Sequence, residues 1–132
     1  MSQIAFPEPD PRILARRDEI VAGLARLVAP ESLITSEDER RAFETDALTA
    51  YRRMPLAVVL PRSTEEVSAV LAYLHEAGVK VVARGAGTSL AGGAIPQEDA
   101  VVVGVSKLNR ILEVNYADRV ARVQAGVTNL GI

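Results

Sequence analysis

Between residues 10 and 28 the apolar positions fall at helical spacing: Ile13, Ile20, Leu24 and Leu27, with Leu14, Val21 and Val28 beside them. Asp10 is suited to cap this helix, Pro11 to its first position, and Pro30 stops it. Packing on its own domain is the ordinary reading of that stripe, and a partner subunit is the alternative. Residues 1–11 are Pro-rich and read as an arm. Ser36 and Glu39 have capping-box spacing, which predicts a short helix to about residue 43. Residues 44–56 then read as a connector.

The period changes at Ala57-Val58-Val59-Leu60, an apolar run too short for a helix and closed by Pro61. It predicts a buried strand. Ser63 and Glu66 repeat the capping spacing, Val67, Val70, Leu71 and Leu74 draw one helical face, and Gly78 ends it. Val79–Ala83 is the next strand. Strand, helix and strand over residues 57–83 predict a βαβ unit with parallel strands and a right-handed crossover. Val101–Val105 reads as a further buried strand. Ile111–Asn115 and Val120–Gln124 flank Tyr116-Ala117-Asp118-Arg119, which predicts a hairpin with Asp118 in its turn. Val127–Ile132 has the look of the first turns of a helix, and a longer chain cut short is expected.

Composition narrows the chemistry. The 132 residues fit one modest domain, and 48% hydrophobic content belongs to the globular class. With 15 basic and 17 acidic residues the net charge is −2, so no basic excess exists to hold a phosphodiester backbone and no nucleic-acid partner is expected. The absence of cysteine excludes disulfides, thiolate catalysis and cysteine-held zinc or iron–sulfur centres within this chain. One histidine, His75, leaves no histidine-rich metal site. The start of the chain lacks the charged-then-apolar pattern of a signal peptide, and no transmembrane run is present. A cytoplasmic protein is the default expectation.

The most informative segment is Arg84-Gly85-Ala86-Gly87-Thr88-Ser89-Leu90-Ala91-Gly92-Gly93. It follows the second predicted strand, holds no acid, and carries Gly85, Gly87, Gly92 and Gly93 of the chain's nine glycines. Residues without a Cβ let backbone N–H groups close on an anion, the two hydroxyls can donate to phosphate oxygens, and Arg84 supplies a cation. The mononucleotide P-loop pattern fails because no lysine follows Gly92 or Gly93. The Rossmann pattern fails because its third glycine would fall on Leu90 and its loop follows a first strand. A wide structural turn whose glycines only permit the bend is the competing reading.

Five segments in order carry a resemblance: Pro55–Pro61, Ser63–Val67, Arg84–Ala94, Leu108–Val114 and Ala121–Val127, with Thr45–Arg52 as lead-in. They resemble the start of FAD-linked oxidases of the vanillyl-alcohol-oxidase type. Within that family they are most similar to the group of bacterial glycolate oxidase FAD subunits and D-lactate dehydrogenases. The resemblance implies an α+β fold, the first subdomain of a PCMH-type FAD-binding domain (a βαβ unit plus further strands) preceded by an N-terminal helical segment. Residues 1–50 would form that segment and residues 51–132 the first part of the FAD-binding domain. FAD is implied as cofactor, with Pro61 near it and Arg84, Gly85, Ala86, Gly87, Thr88, Ser89, Gly92 and Gly93 around its pyrophosphate. Thr88 stands about where covalently linked relatives carry histidine, so the FAD is expected to be non-covalent. The implied reaction is oxidation of a 2-hydroxy acid, glycolate or D-lactate, to the 2-oxo acid. Its catalytic groups would lie beyond this chain, so the 132 residues alone are expected to be inactive. A second flavin subunit, an iron–sulfur subunit and peripheral attachment to the inner membrane through them are implied as well. The alternatives are a non-catalytic nucleotide-binding or flavoprotein-partner module, or an inactive fragment.

Other residues have plainer readings. His75 is expected at the edge of its helix or in solvent. Glu65 and Glu66 suit capping and the helix dipole. Arg16-Arg17, Arg40-Arg41 and Arg52-Arg53 read as solvated faces rather than a docking surface, and Tyr51 and Tyr116 as packing residues rather than ring-stacking ones.

Overall fold

The computed structural model describes residues 6–132; the first five residues of the expected N-terminal arm lie outside the described residues. Helix α1 (Pro11–Ala15) begins as its sequence predicts: the Asp10 side chain accepts from the Arg12 N–H at 2.9 Å and Pro11 takes the first turn. The expected single helix is broken at Arg16, whose backbone (φ −95°, ψ 11°) leaves the helical region before α2 (Arg17–Leu24) resumes. The break leaves Ile13 on the same buried side as Ile20 and Leu24, so the apolar stripe survives although the helix does not.

A two-residue strand β1 (Leu33–Ile34) follows, then α3 (Glu37–Arg40), which runs into a 3₁₀ turn ending at Phe43. Strand β2 (Ala57–Val59) leads into α4 (Thr64–Glu76), then β3 (Lys80–Arg84), β4 (Ala100–Gly104), and the strands β5 (Ile111–Asn115) and β6 (Val120–Val123). The four-stranded sheet has the order β1-β2-β4-β3. β2, β4 and β3 are parallel, with Val58 opposite Val102 and Val102 opposite Val82. The expected parallel strands are there, but β4 lies between the two that α4 joins. β1, absent from the sequence reading, runs antiparallel on the outer side of β2.

Every residue of β2 and β4 is buried, as befits parallel strands covered by helices. One core joins Ile13, Ile20, Leu24 and Val28 to the strands and to Val70 and Leu74 of α4. Burying side chains of that size contributes about 1.5–3 kcal/mol each. Leu71, expected on the buried face of α4, is 41% exposed; Tyr73 and Ala77 pack against the core instead.

The two capping boxes diverge. At Ser63 the hydroxyl accepts from the Glu66 N–H at 3.1 Å while the Glu66 carboxylate accepts from the Arg62 N–H at 2.8 Å. At Ser36 the side chain caps no backbone N–H and the hydroxyl bonds the Glu39 carboxylate instead. The arginine pairs are also more than solvated faces. Arg17 donates to the Leu56 and Thr35 carbonyls at 3.2 and 2.7 Å, and Arg40 to the Pro55 carbonyl at 2.5 Å. The bonds to Leu56 and Pro55 pin the N-terminal segment to the connector, whose irregular backbone offers its carbonyls, while the bond to Thr35 stays within that segment.

At the amino-terminal edge of the sheet, the buried Asp99 carboxylate accepts from the Asp10 N–H at 2.9 Å and pairs with the Lys80 ammonium at 2.8 Å. Burial, the largest influence, would raise its pKa, yet Lys80 and the Asp10 amide together hold it below the usual carboxylate range. The β5–β6 hairpin forms as expected, with Asn115 accepting from the Asp118 N–H at 3.0 Å in the turn. Most of its side chains face solvent, and Tyr116, expected to pack, is 87% exposed. Tyr51 does pack, edge-on against Phe6 with ring centroids 5.2 Å apart. No helix among the described residues is long and apolar enough to cross a membrane.

Candidate cofactor site

Because β2, β4 and β3 are parallel, the segments that follow them emerge at one edge: Leu60-Pro61, Val105–Asn109 and the glycine loop. That carboxyl edge is where open α/β sheets take ligands. β3 stops at Arg84 because the glycines beyond it offer no side chains to pack and the backbone turns away.

In the loop, the backbone N–H groups of Gly85 through Leu90, and of Gly92 and Gly93, have no acceptor among the described residues; Ala91 N–H donates to the Ser89 hydroxyl at 3.2 Å. A run of donors this long without partners satisfies itself on water or on an anion. The hollow they border is about 370 Å³ and is lined by Gly85, Ala86, Gly87, Thr88, Ser89 and Gly93 together with Ala83 and Ala94. A second hollow of about 530 Å³ adjoins it, sharing Gly85 and Ala86 and reaching Ser106, Asn109 and the Ala125–Thr128 turn. Together they form a trough along the carboxyl edge with no acidic side chain in its lining. The donor set, two hydroxyls and a row of unpartnered amides beside two adjoining hollows, fits the pyrophosphate and flanking groups of a dinucleotide.

At two glycines of the site a Cβ would collide with a neighbour as it stands. Gly87 has φ +71°, and a Cβ there would stand 2.2 Å from Nη2 of Arg84. Gly126 sits so close to the edge that a Cβ would meet the Val105 carbonyl oxygen at 2.1 Å and that of Leu108 at 2.9 Å. Its N–H donates to the Leu108 carbonyl at 2.8 Å, which draws the end of the hairpin onto the trough.

Seven of the nine expected site residues are brought together here: Gly85, Ala86, Gly87, Thr88, Ser89 and Gly93 line the first hollow, and Gly92 belongs to the same loop. Two are not. Pro61 is fully buried at the end of β2 and borders neither hollow. Arg84 turns its side chain under the loop: Nη1 donates to the Thr45 carbonyl at 2.7 Å and the guanidinium lies 5.4 Å from the Phe43 ring centre. Burial pushes its pKa down and the nearby Asp46 carboxylate pulls it up, and the group stays charged in any case. Conversely, Ser106, Asn109 and Thr128 line the second hollow and escaped the sequence reading. The signal was available in part, since Ser106 directly follows an apolar strand run that had to end at the same edge as the loop, and Asn109 lies three residues beyond Ser106. His75 is exposed, and no cluster of three or more potential metal ligands occurs among the described residues.

Residues 55–131 match the FAD binding domain family. Over 128 residues, 97% of this chain and 24% of the relative, the sequence is 43% identical to glycolate oxidase subunit GlcD of Escherichia coli K12. It is 44% identical over 92 residues to D-lactate dehydrogenase of Archaeoglobus fulgidus, covering 69% of this chain and 20% of that one. Among solved structures, p-cresol methylhydroxylase with substrate bound superposes with a TM-score of 0.78 at 18% identity over 89% of this chain and 24% of its own, a likeness of fold. The chain spans about a quarter of the length of the curated relatives it matches.

Proposed function

This chain belongs to the FAD binding domain family, and from that premise we propose that it forms the first half of a non-covalent FAD site in an enzyme oxidising a 2-hydroxy acid, glycolate or D-lactate, to its 2-oxo acid. FAD is the cofactor of the family, and bound here it would supply the acceptor for the two electrons leaving the α-carbon. The observation that carries the reading is the row of unpartnered amides, Gly85–Leu90, Gly92 and Gly93, around a hollow at the carboxyl edge.

In this reading Gly85, Ala86, Gly87, Gly92 and Gly93 present N–H groups to the pyrophosphate, and the Thr88 and Ser89 hydroxyls donate to its oxygens. Ser106, Asn109 and Thr128 hold the part of the dinucleotide that extends along the second hollow. Pro61 closes β2 and shapes the edge from behind. Residues 1–50 buttress this half-site and residues 51–132 build it. No acid–base group stands in the trough, so the 132-residue chain contributes binding and orientation, and the chemistry requires residues it does not contain. The similarity to a glycolate oxidase subunit supports partner subunits; in this reading they are a second flavin subunit and an iron–sulfur subunit, with the assembly cytoplasmic or peripheral at the inner membrane.

The test is made on the full-length protein carrying this segment. Purified without chaotrope, it is expected to show the flavin absorption bands, to release FAD on acid precipitation, and to reduce a dye with glycolate or D-lactate. Gly87→Ala in that protein is expected to lower its FAD content. A colourless protein inert towards both acids would overturn the reading. The isolated 132-residue chain is expected to oxidise neither acid, and turnover by it would place the acid–base chemistry here after all.

A further inference from the structure

The side chain of Arg84 is the one charged group at the glycine loop, and it faces away from the trough. Its Nη1 donates to the Thr45 carbonyl at 2.7 Å, its guanidinium lies over Phe43 at 5.4 Å, and its Nη2 fills the space where Gly87 would carry a Cβ, 2.2 Å from that position. We propose that Arg84 is a positioning residue, a strut that props the Gly85–Thr88 turn on Phe43 and the 44–56 connector so that the loop presents its amides, and that it makes no contact with phosphate itself. The proposal rests on the pyrophosphate reading only for what the amides are presented to.

Three observations support it. The connector is anchored in its own right: the Thr45 hydroxyl donates to the Tyr51 carbonyl at 2.9 Å and the Arg53 N–H to the Glu44 carbonyl at 2.8 Å. It also meets the far limb of the loop, where Leu48 stands 3.7 Å from the position a Cβ of Gly92 would take. And the Arg84 charge is committed. Asp46 is 4% exposed, with one carboxylate oxygen accepting from the Leu48 N–H at 2.9 Å and the other without a partner among the described residues, and its charge acts on the Arg84 guanidinium from nearby. A planar guanidinium can donate in its plane and stack on a ring at once; an ammonium group offers neither the plane nor the fork.

Loop order in the ligand-free chain tests this directly. ¹⁵N relaxation is measured on the 132-residue chain as wild type, Arg84→Lys, Arg84→Met and Phe43→Leu, with the amides of α4 and β4 as internal controls of folding. In the wild type, Gly85–Thr88 should have order parameters near the rigid value of about 0.85. In all three variants they should fall towards about 0.6 while α4 and β4 keep theirs. Phe43 is the variant that keeps the charge and removes only the face the strut lies on. FAD content is then read on the full-length protein with the same changes, where Arg84→Lys should lose as much as Arg84→Met, about tenfold in affinity for one charge-assisted bond and one stacked face. An ordered loop in Arg84→Met, a mobile loop in the wild type, or restoration of FAD affinity by Arg84→Lys would overturn the strut. A full-length wild type without FAD would overturn the pyrophosphate reading instead, and loop order in the ligand-free chain would still decide the role of Arg84.

Discussion

β4 and β5 are both five-residue strands rich in branched apolar side chains, Ala100-Val-Val-Val-Gly104 and Ile111-Leu-Glu-Val-Asn115, and they end up in opposite conditions. All of β4 is buried between parallel neighbours, beneath helices on its covered side. In β5, Ile111, Leu112 and Val114 are 43%, 48% and 40% exposed, and Val120 across the hairpin is 58% exposed. What separates them is layering: β4 has partners on both edges and a helix against the sheet, whereas the hairpin is a two-stranded ribbon with nothing among the described residues laid on it. Apolar content made both of them strands, and coverage made only one of them core. The ribbon is also a surface on which apolar side chains stand ready for contact with another part of a protein or for self-association.

The same truncation in the two regions gives the widest contrast. Leu74→Ala, in the core beneath the sheet, is expected to cost about 2–5 kcal/mol in urea unfolding. Leu112→Ala, on the hairpin, should stay within about 0.5 kcal/mol. Equal costs would mean the hairpin is covered in solution. Gly126→Ala probes the link between the regions: with two carbonyl oxygens inside contact distance of the new methyl, the loss should be about 1–3 kcal/mol by the same unfolding assay. Gly87→Ala meets a side-chain tip and a left-handed backbone, and about 1–2 kcal/mol is expected. The smallest effect concerns the far edge. The hydrogen bond from Arg12 draws the Asp10 carboxyl down from 3.8 to about 2. A group held lower in the folded chain stabilises it above the unfolded value and stops doing so as pH falls through the folded one. Wild type should therefore melt above Asp10→Asn at about pH 5, and the gap should close towards about pH 2. A gap that widens with acid would contradict the pairing.

Much of this was legible in the residues. Asp10 and Pro11 announced α1, Ser63 announced α4, and the Val-rich runs announced β2 and β4, because capping chemistry and short apolar runs are local signals. The breaks came where distant groups decide. Arg16 interrupts the first helix while its side chain reaches the Ala77 carbonyl at 3.1 Å, a bond to a residue far along the chain. β1 is two residues long and exists only because β2 has an outer edge to fill. That β4 inserts between β2 and β3 is a matter of topology, which no local pattern encodes. At the site, the glycines disclosed the loop, since a missing Cβ is visible in the sequence. The direction of the Arg84 side chain was not, because an arginine before a phosphate loop and an arginine beneath it read identically until Phe43 and Thr45 are seen under it.

The turning-away of that arginine leaves the trough with no charged side chain in its lining, so its polar atoms act as dipoles. Amide groups attract a multivalent anion at contact range but project little field into solvent, and mobile ions screen long-range fields, not contacts. Uptake of a diphosphate by such a lining would vary only shallowly with ionic strength, and polyanions that seek a cationic surface would find nothing here to grip. A diphosphate held there would be chosen for its shape rather than for its charge.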